Sequence, residues 1–213
     1  MQNTSKSFKN LKVNYLFPKF VIFSKIGVLN YEAKIFLDRL KRTFNIGNEI
    51  SINRNVLDND ILSNIKLSIE DCLEKTFRMI YDPVCNVNLY ITNSWVNYNM
   101  QGMHHHSHTH SNSFLSGVYY VQAKKEKDKI IFYNQEYSMI KLPANNWNQF
   151  NSNSWFYPVE SGDLIIFPSS IMHGVDNVET DDRISIGFNT FLKGDIGDDS
   201  VSFDMKLKVT NLS

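Results

Sequence analysis

The chain predicts an α+β protein, mainly β, in which antiparallel strands form a sandwich or barrel and helices cover one outer face. Two observations carry that expectation. Segments with the one-face apolar spacing of amphipathic helices come early, and short β-branched and aromatic runs fill the remainder with no helical pattern between them. Strands that follow one another without crossover helices pair antiparallel.

Taken in order, "VNYLFPKFVIFSKI" alternates as an early strand pair broken at Pro18. "NYEAKIFLDRLKRTF" places Ala33, Phe36, Leu37 and Leu40 on one helical face. "NIKLSIEDCLEKTFRMIYDP" repeats the pattern with Ile65, Ile69, Cys72, Leu73, Phe77 and Ile80, and Pro83 closes it. Beyond Pro83 the period changes to that of strands: "VNLYITNSWVNYN", "FLSGVYYVQA", "KIIFYN", "SWFYPVE", "DLIIFP" and "RISIGFNTFL", parted by Gly, Asn, Asp or Lys turns. Residues 134–154 have no clean period and read as a long loop of the kind that serves as a lid or binding element. One domain over 1–213 is expected, with a helical support region at 1–83, a β core at 84–193 and a C-terminal extension at 194–213.

Composition narrows the function classes. The chain has 213 residues, 42% hydrophobic and 13% aromatic, as suits a globular protein. Twenty-two basic and 22 acidic residues cancel. Bulk nucleic-acid binding, which draws on a basic excess, is therefore not expected. No apolar run is long enough to span a membrane, and the first residues lack the pattern of a secretion signal. Cys72 and Cys85 form no C-x-x-C and read as reduced thiols, which with the missing signal leads to an expectation of a cytoplasmic protein.

Five of the six histidines fall within "MHHHSHTHSNS", at 104, 105, 106, 108 and 110. A solvated low-complexity tract is the bland reading. A metal site is the sharper one, because residues i and i+2 of a strand project to the same side and reach one ion together. His108 with His110 satisfies that spacing, and so does His104 with His106; spacing does not choose between them. The third ligand has one histidine candidate, His173, after the turn and buried strand "GDLIIFPSSIM". The remaining His104–His106 residues read as a flexible approach loop.

The last long strand adds a second signal. In "RISIGFNTFL" Arg183, Ser185, Gly187 and Asn189 share one face and Ile184, Ile186 and Phe188 the other. The apolar face should pack under the helices. A guanidinium inside a barrel is costly unless it meets an anion. A carboxylate held bidentately by Arg183, with a hydrogen bond from Ser185 and space beside Gly187, offsets that cost. Asn97, Tyr120 and Asn189 are further candidates for touching the same ligand.

His108-Thr-His110, then His173, with Arg183 ten residues later and Ser185 completing Arg-x-Ser, resembles the Fe(II)- and 2-oxoglutarate-dependent oxygenases. The blocks "NSFLSGVYYV", "GDLIIFPSSIMHGV" and "RISIGFNTFL" are similar to those of the 2-oxoglutarate/iron oxygenases common in phage and marine bacterial genomes. That resemblance covers about residues 90–193. It implies a double-stranded β-helix (jelly-roll, cupin-like) fold and an iron site of His108, His110 and His173. It also implies 2-oxoglutarate as cosubstrate anchored by Arg183 and Ser185, and O2 as oxidant. A small-molecule or peptide substrate would be hydroxylated with release of succinate and CO2, in the cytoplasm of a bacterium or phage-infected host.

The wider superfamily uses His-x-Asp/Glu, and position 110 is His. No acid occurs between Pro83 and Lys125, so either the site is three-histidine or a remote acid completes it. Two other functions stay open on the residues alone. One is a cupin-like metalloenzyme, a three-histidine dioxygenase or isomerase that needs no 2-oxoglutarate. The other is a non-catalytic jelly-roll binding module with incidental histidines.

Overall fold

The computed structural model describes residues 12–135, 142–197 and 206–210. The elements in chain order are β1 (Ile22–Lys25), α1 (Tyr31–Asp38), β2 (Arg42–Phe44), β3 (Glu49–Ser51), α2 (Ser63–Tyr81), β4 (Val87–Asn99), β5 (His105–His108) and β6 (Leu115–Gln122). They continue with β7 (Lys129–Tyr133), β8 (Ser154–Pro158), β9 (Asp163–Pro168), β10 (His173–Val175), β11 (Arg183–Ile196) and β12 (Leu207–Val209). Two short 3-10 turns, Val56–Asp58 and Asp60–Leu62, lead into α2.

The helices start and stop where local chemistry directs. The Asn30 side chain accepts a hydrogen bond from the Ala33 amide at 2.9 Å, capping α1. α2 ends at Asp82, which takes the left-handed conformation (φ 40°) just before Pro83. α1 is shorter than the sequence pattern suggested: it stops at Asp38, and Arg42–Phe44 is instead a strand paired with β3. The early strand pair is likewise a single strand. β1 finds its partner in β9, Ile22 opposite Ile166, and residues 12–21 join no sheet. Thus the first 83 residues, read as helical support, also supply three strands to the main sheet.

The larger sheet runs β1-β9-β6-β11-β4-β3-β2, with β12 added to the end of β11. The smaller runs β5-β10-β7-β8. One core lies between the helices and the larger sheet, where Leu37, Ile69 and Leu73 meet Val96, Leu115, Tyr119, Ile186 and Phe188. Each such buried side chain contributes roughly 1.5–3 kcal/mol. Gly117 accommodates the Phe188 ring, since a Cβ there would come within 2.2 Å of it. The second core lies between the sheets and joins Tyr120, Ile165 and Phe167 to Ile130 and Phe132. This is the double-stranded β-helix implied by the resemblance, with the helices on one outer face. The alternation of β11 follows expectation: Ile186 and Phe188 face the helices, while Arg183, Ser185 and Gly187 line the space between the sheets. Residues 136–141 of the long loop lie outside the described residues; 142–153 carry no strand or helix.

Candidate metal centre

Strand pairing brings the histidines together. β5 and β10 are antiparallel neighbours in which His173 stands opposite His108. His110 lies just beyond the end of β5, not within the strand as its i+2 spacing suggested. It nevertheless joins the other two: ligand nitrogens of His108, His110 and His173 all lie within 4.8 Å of one another.

Each of the three rings has its Nδ1 committed to an oxygen. His108 Nδ1 meets the His106 carbonyl at 2.8 Å and His173 Nδ1 the Ile171 carbonyl at 3.0 Å. His110 Nδ1 meets Asn189 Oδ1, which also accepts from the Ser116 hydroxyl at 2.8 Å. Carbonyl oxygens only accept, so each Nδ1 carries the proton and each Nε2 presents a lone pair. Yet the Nε2 atoms of His108 and His110 stand 3.0 Å apart. Two lone pairs at that distance repel unless a cation lies between them. Imidazole–metal bonds of roughly 2.0–2.1 Å at right angles place two nitrogens about 3 Å apart. The donor set thus fits a divalent metal held by three neutral imidazoles.

The electrostatics agree. Burial, reinforced by the neighbouring His108, lowers His173 to about 3 and His110 to about 4, in each case against an opposing hydrogen bond, to the Ile171 carbonyl and to Asn189 Oδ1 respectively. Burial also lowers His108. Neutral rings are the ligating form.

Next to the triad lies a buried cation. Arg183 is 2% exposed and has no salt-bridge partner among the described residues; its Nε has no hydrogen-bond acceptor. Tyr120 is fully buried, its hydroxyl has no hydrogen-bond partner among the described residues, and the Arg183 Cζ lies 5.1 Å from its ring centre. Burial pushes the Tyr120 phenol up to about 12, so it remains an O–H donor. Ser185 and Asn97 face each other across the β11–β4 ladder and line the same cavity as Arg183, Tyr120 and the three histidines. Asn97 Oδ1 is engaged by Trp95 Nε1 at 3.3 Å and Asn48 Nδ2 at 3.5 Å.

Three site expectations change. Asn189 stands behind His110 as its hydrogen-bond acceptor, whereas the strand face had suggested contact with a ligand. The room beside Gly187 is taken by the Trp95 indole, 2.8 Å from where a Cβ would sit, so that glycine admits a tryptophan and not a carboxylate. His105 and His106 belong to β5 and are not a flexible approach loop. His105 lines the cavity, and burial together with His108, His106, His173 and Arg183 lowers it to about 2.

His105 was missed because strand alternation puts it on the face opposite His108. Between the His173–His108 and Val175–His105 pairs the register slips by one residue, a β-bulge that turns His105 inward. Asn99 was also missed. It pairs with Arg183 in the ladder, is 1% exposed, and both its amide atoms lack partners among the described residues.

Residues 93–189 match the family model described as "Putative 2OG-Fe(II) oxygenase". Over these residues the chain is similar to this oxygenase family. The match takes in all three triad histidines and Arg183, so the stretch that resembles the family is also the one that builds the cavity. Solved structures share the fold. HygX from Streptomyces hygroscopicus, with nickel, 2-oxoglutarate and hygromycin B bound, aligns with a TM-score of 0.56 at 13% identity, over 81% of this chain and 82% of that one. The epimerase SnoN, in complex with Fe3+, alpha ketoglutarate and nogalamycin RO, gives 0.57 at 12% over 81% and 79%. A 2OG-Fe(II) oxygenase family oxidoreductase from Burkholderia pseudomallei gives 0.54 at 11% over 75% and 76%. No curated protein sequence matches the chain.

Proposed function

We propose that this 2-oxoglutarate-dependent oxygenase holds Fe(II) through the Nε2 atoms of His108, His110 and His173 and anchors its cosubstrate through Arg183. The observation that carries the reading is Arg183 itself. A guanidinium buried to 2% exposure without an anion is destabilising by several kcal/mol. A dicarboxylate whose far end meets Arg183 and the Tyr120 hydroxyl removes that penalty and satisfies two orphaned donors.

When bound, the iron supplies activation of O2, coupled to oxidation of 2-oxoglutarate to succinate and CO2 and hydroxylation of the substrate. The chain's own residues bind, orient and keep water away. Arg183 and Tyr120 take the far carboxylate, with Ser185 and Asn97 beside them on the cavity wall. The His106 and Ile171 carbonyls and Asn189 Oδ1 fix the imidazole tautomers. Val118 and Ile130 close the cavity with apolar surface. The substrate is a small molecule or peptide. No helix among the described residues is long and apolar enough to cross a membrane, and Cys72 and Cys85 are free thiols, which supports a reducing, cytoplasmic setting.

The test is anaerobic addition of Fe(II) and 2-oxoglutarate to tag-free protein, watched for the weak visible charge-transfer band. The band should require both additions. Protein that retains iron yet never shows it does not bind the oxo-acid, and the reading fails.

A further inference from the structure

The histidine window holds more imidazoles than the inner triad uses. His105, His106 and His108 form a second group whose ligand nitrogens also lie within 4.8 Å of one another. Their ring centres are 4.6 Å apart for His105–His108, 5.0 Å for His106–His108 and 5.3 Å for His105–His106. The bulge in β5 creates this grouping, because without it His105 would face away from His108. The His105 ring makes no hydrogen bond among the described residues. His106 Nδ1 lies 3.4 Å from the Ile46 carbonyl, which leaves its Nε2 available.

We propose that His105, His106 and His108 form a second, outer metal site for an imidazole-seeking divalent ion, occupied in alternation with the inner site. The donors are all neutral nitrogen, a set that favours Zn2+, Ni2+ and Cu2+ over Fe2+. Alternation follows from His108. Its Nδ1 is held by the His106 carbonyl at 2.8 Å, so one ring nitrogen remains and it can ligate one ion. An ion captured by the outer site therefore withdraws His108 from the inner triad. β5 is an edge strand and His106 is only partly buried, so the outer group is the one an arriving ion meets first.

The test uses Zn2+ alone on metal-stripped, tag-free protein, followed by calorimetry, and so is independent of whether 2-oxoglutarate binds. Wild type should take one equivalent. His110→Ala leaves the outer group whole and should still take one. Adding His106→Ala or His105→Ala to that background should weaken binding by more than the roughly 10- to 100-fold that loss of an orienting partner costs. His104→Ala added instead should change little, because His104 belongs to neither group. A His173→Gln background, which keeps side-chain bulk, guards against a misfolded His110→Ala. Two equivalents on wild type would overturn the alternation. No binding by His110→Ala and His173→Gln, or a loss caused by His104→Ala and not by His105→Ala, would overturn the site.

Discussion

Asn189 Oδ1 accepts two hydrogen bonds at once, from His110 Nδ1 and from the Ser116 hydroxyl, and so ties a residue of β11 to a ring beyond the end of β5. That oxygen decides which nitrogen of His110 faces the other histidines. Asn189→Leu keeps the bulk and removes the acceptor, freeing the ring to turn over. Iron affinity should fall roughly 10- to 100-fold, the usual effect of losing such a partner, with the far-ultraviolet circular dichroism unchanged. An Fe(II) titration that superimposes on wild type would show His110 to be oriented by packing alone.

Arg183→Met retains length but removes charge and donors. Loss of a charge-assisted contact that leaves a buried carboxylate unpaired costs about 2–5 kcal/mol, or roughly 30- to several-thousand-fold in 2-oxoglutarate affinity. Tyr120→Phe removes one neutral donor and should cost about 1 kcal/mol. Both should spare iron content. Titration of the charge-transfer band with 2-oxoglutarate, with iron assayed in parallel, separates the two effects. Equal affinity in wild type and Arg183→Met would make Arg183 a structural charge.

Acid should destabilise the metal-free protein over a defined window. In the unfolded chain histidine takes up a proton near its ordinary value of about 6.5. In the folded state burial holds His110 to about 4 and His173 to about 3. Below about pH 6.5 the unfolded state binds more protons, so stability present above that pH is lost as pH falls toward 4 and then 3. The slope is about 1.4 kcal/mol per pH unit for each such imidazole. Melting temperature against pH should therefore fall through this window, and less steeply in His173→Gln. Iron should stay bound below pH 6.5 for the same reason, further into acid than an exposed imidazole site allows. A variant with the slope of wild type would remove His173 from the linkage.

Gly174 faces the bulge of β5. A Cβ there would stand 3.0 Å from the His105 carbonyl oxygen and 3.2 Å from the Ser107 Cα, both backbone atoms. Gly174→Ala should push β5 away, cost about 1–3 kcal/mol in stability, and weaken iron binding although no ligand is altered. Thermal melts and an iron titration measure the two effects. An alanine variant with wild-type iron affinity would show that the bulge does not position His108.

The sequence by itself determined what a few consecutive residues encode. The inward and outward faces of Arg183–Asn189 follow from the two-residue period of a strand, and the packed face of Ser63–Tyr81 from the period of a helix. His173 could be singled out because it is the sole histidine outside the cluster. What needed the tertiary structure depends on a partner far along the chain. The early alternating segment could not announce that β1 would pair with β9. Asn189 became a tautomer lock only because His110 arrives beside it, and Gly187 makes room for Trp95 only because β4 is its neighbour. His105 faces the cavity through a bulge that Gly174 on β10 leaves room for. Backbone period is a local property, whereas bulges, ring orientation and filled space are set by whichever strand lies opposite.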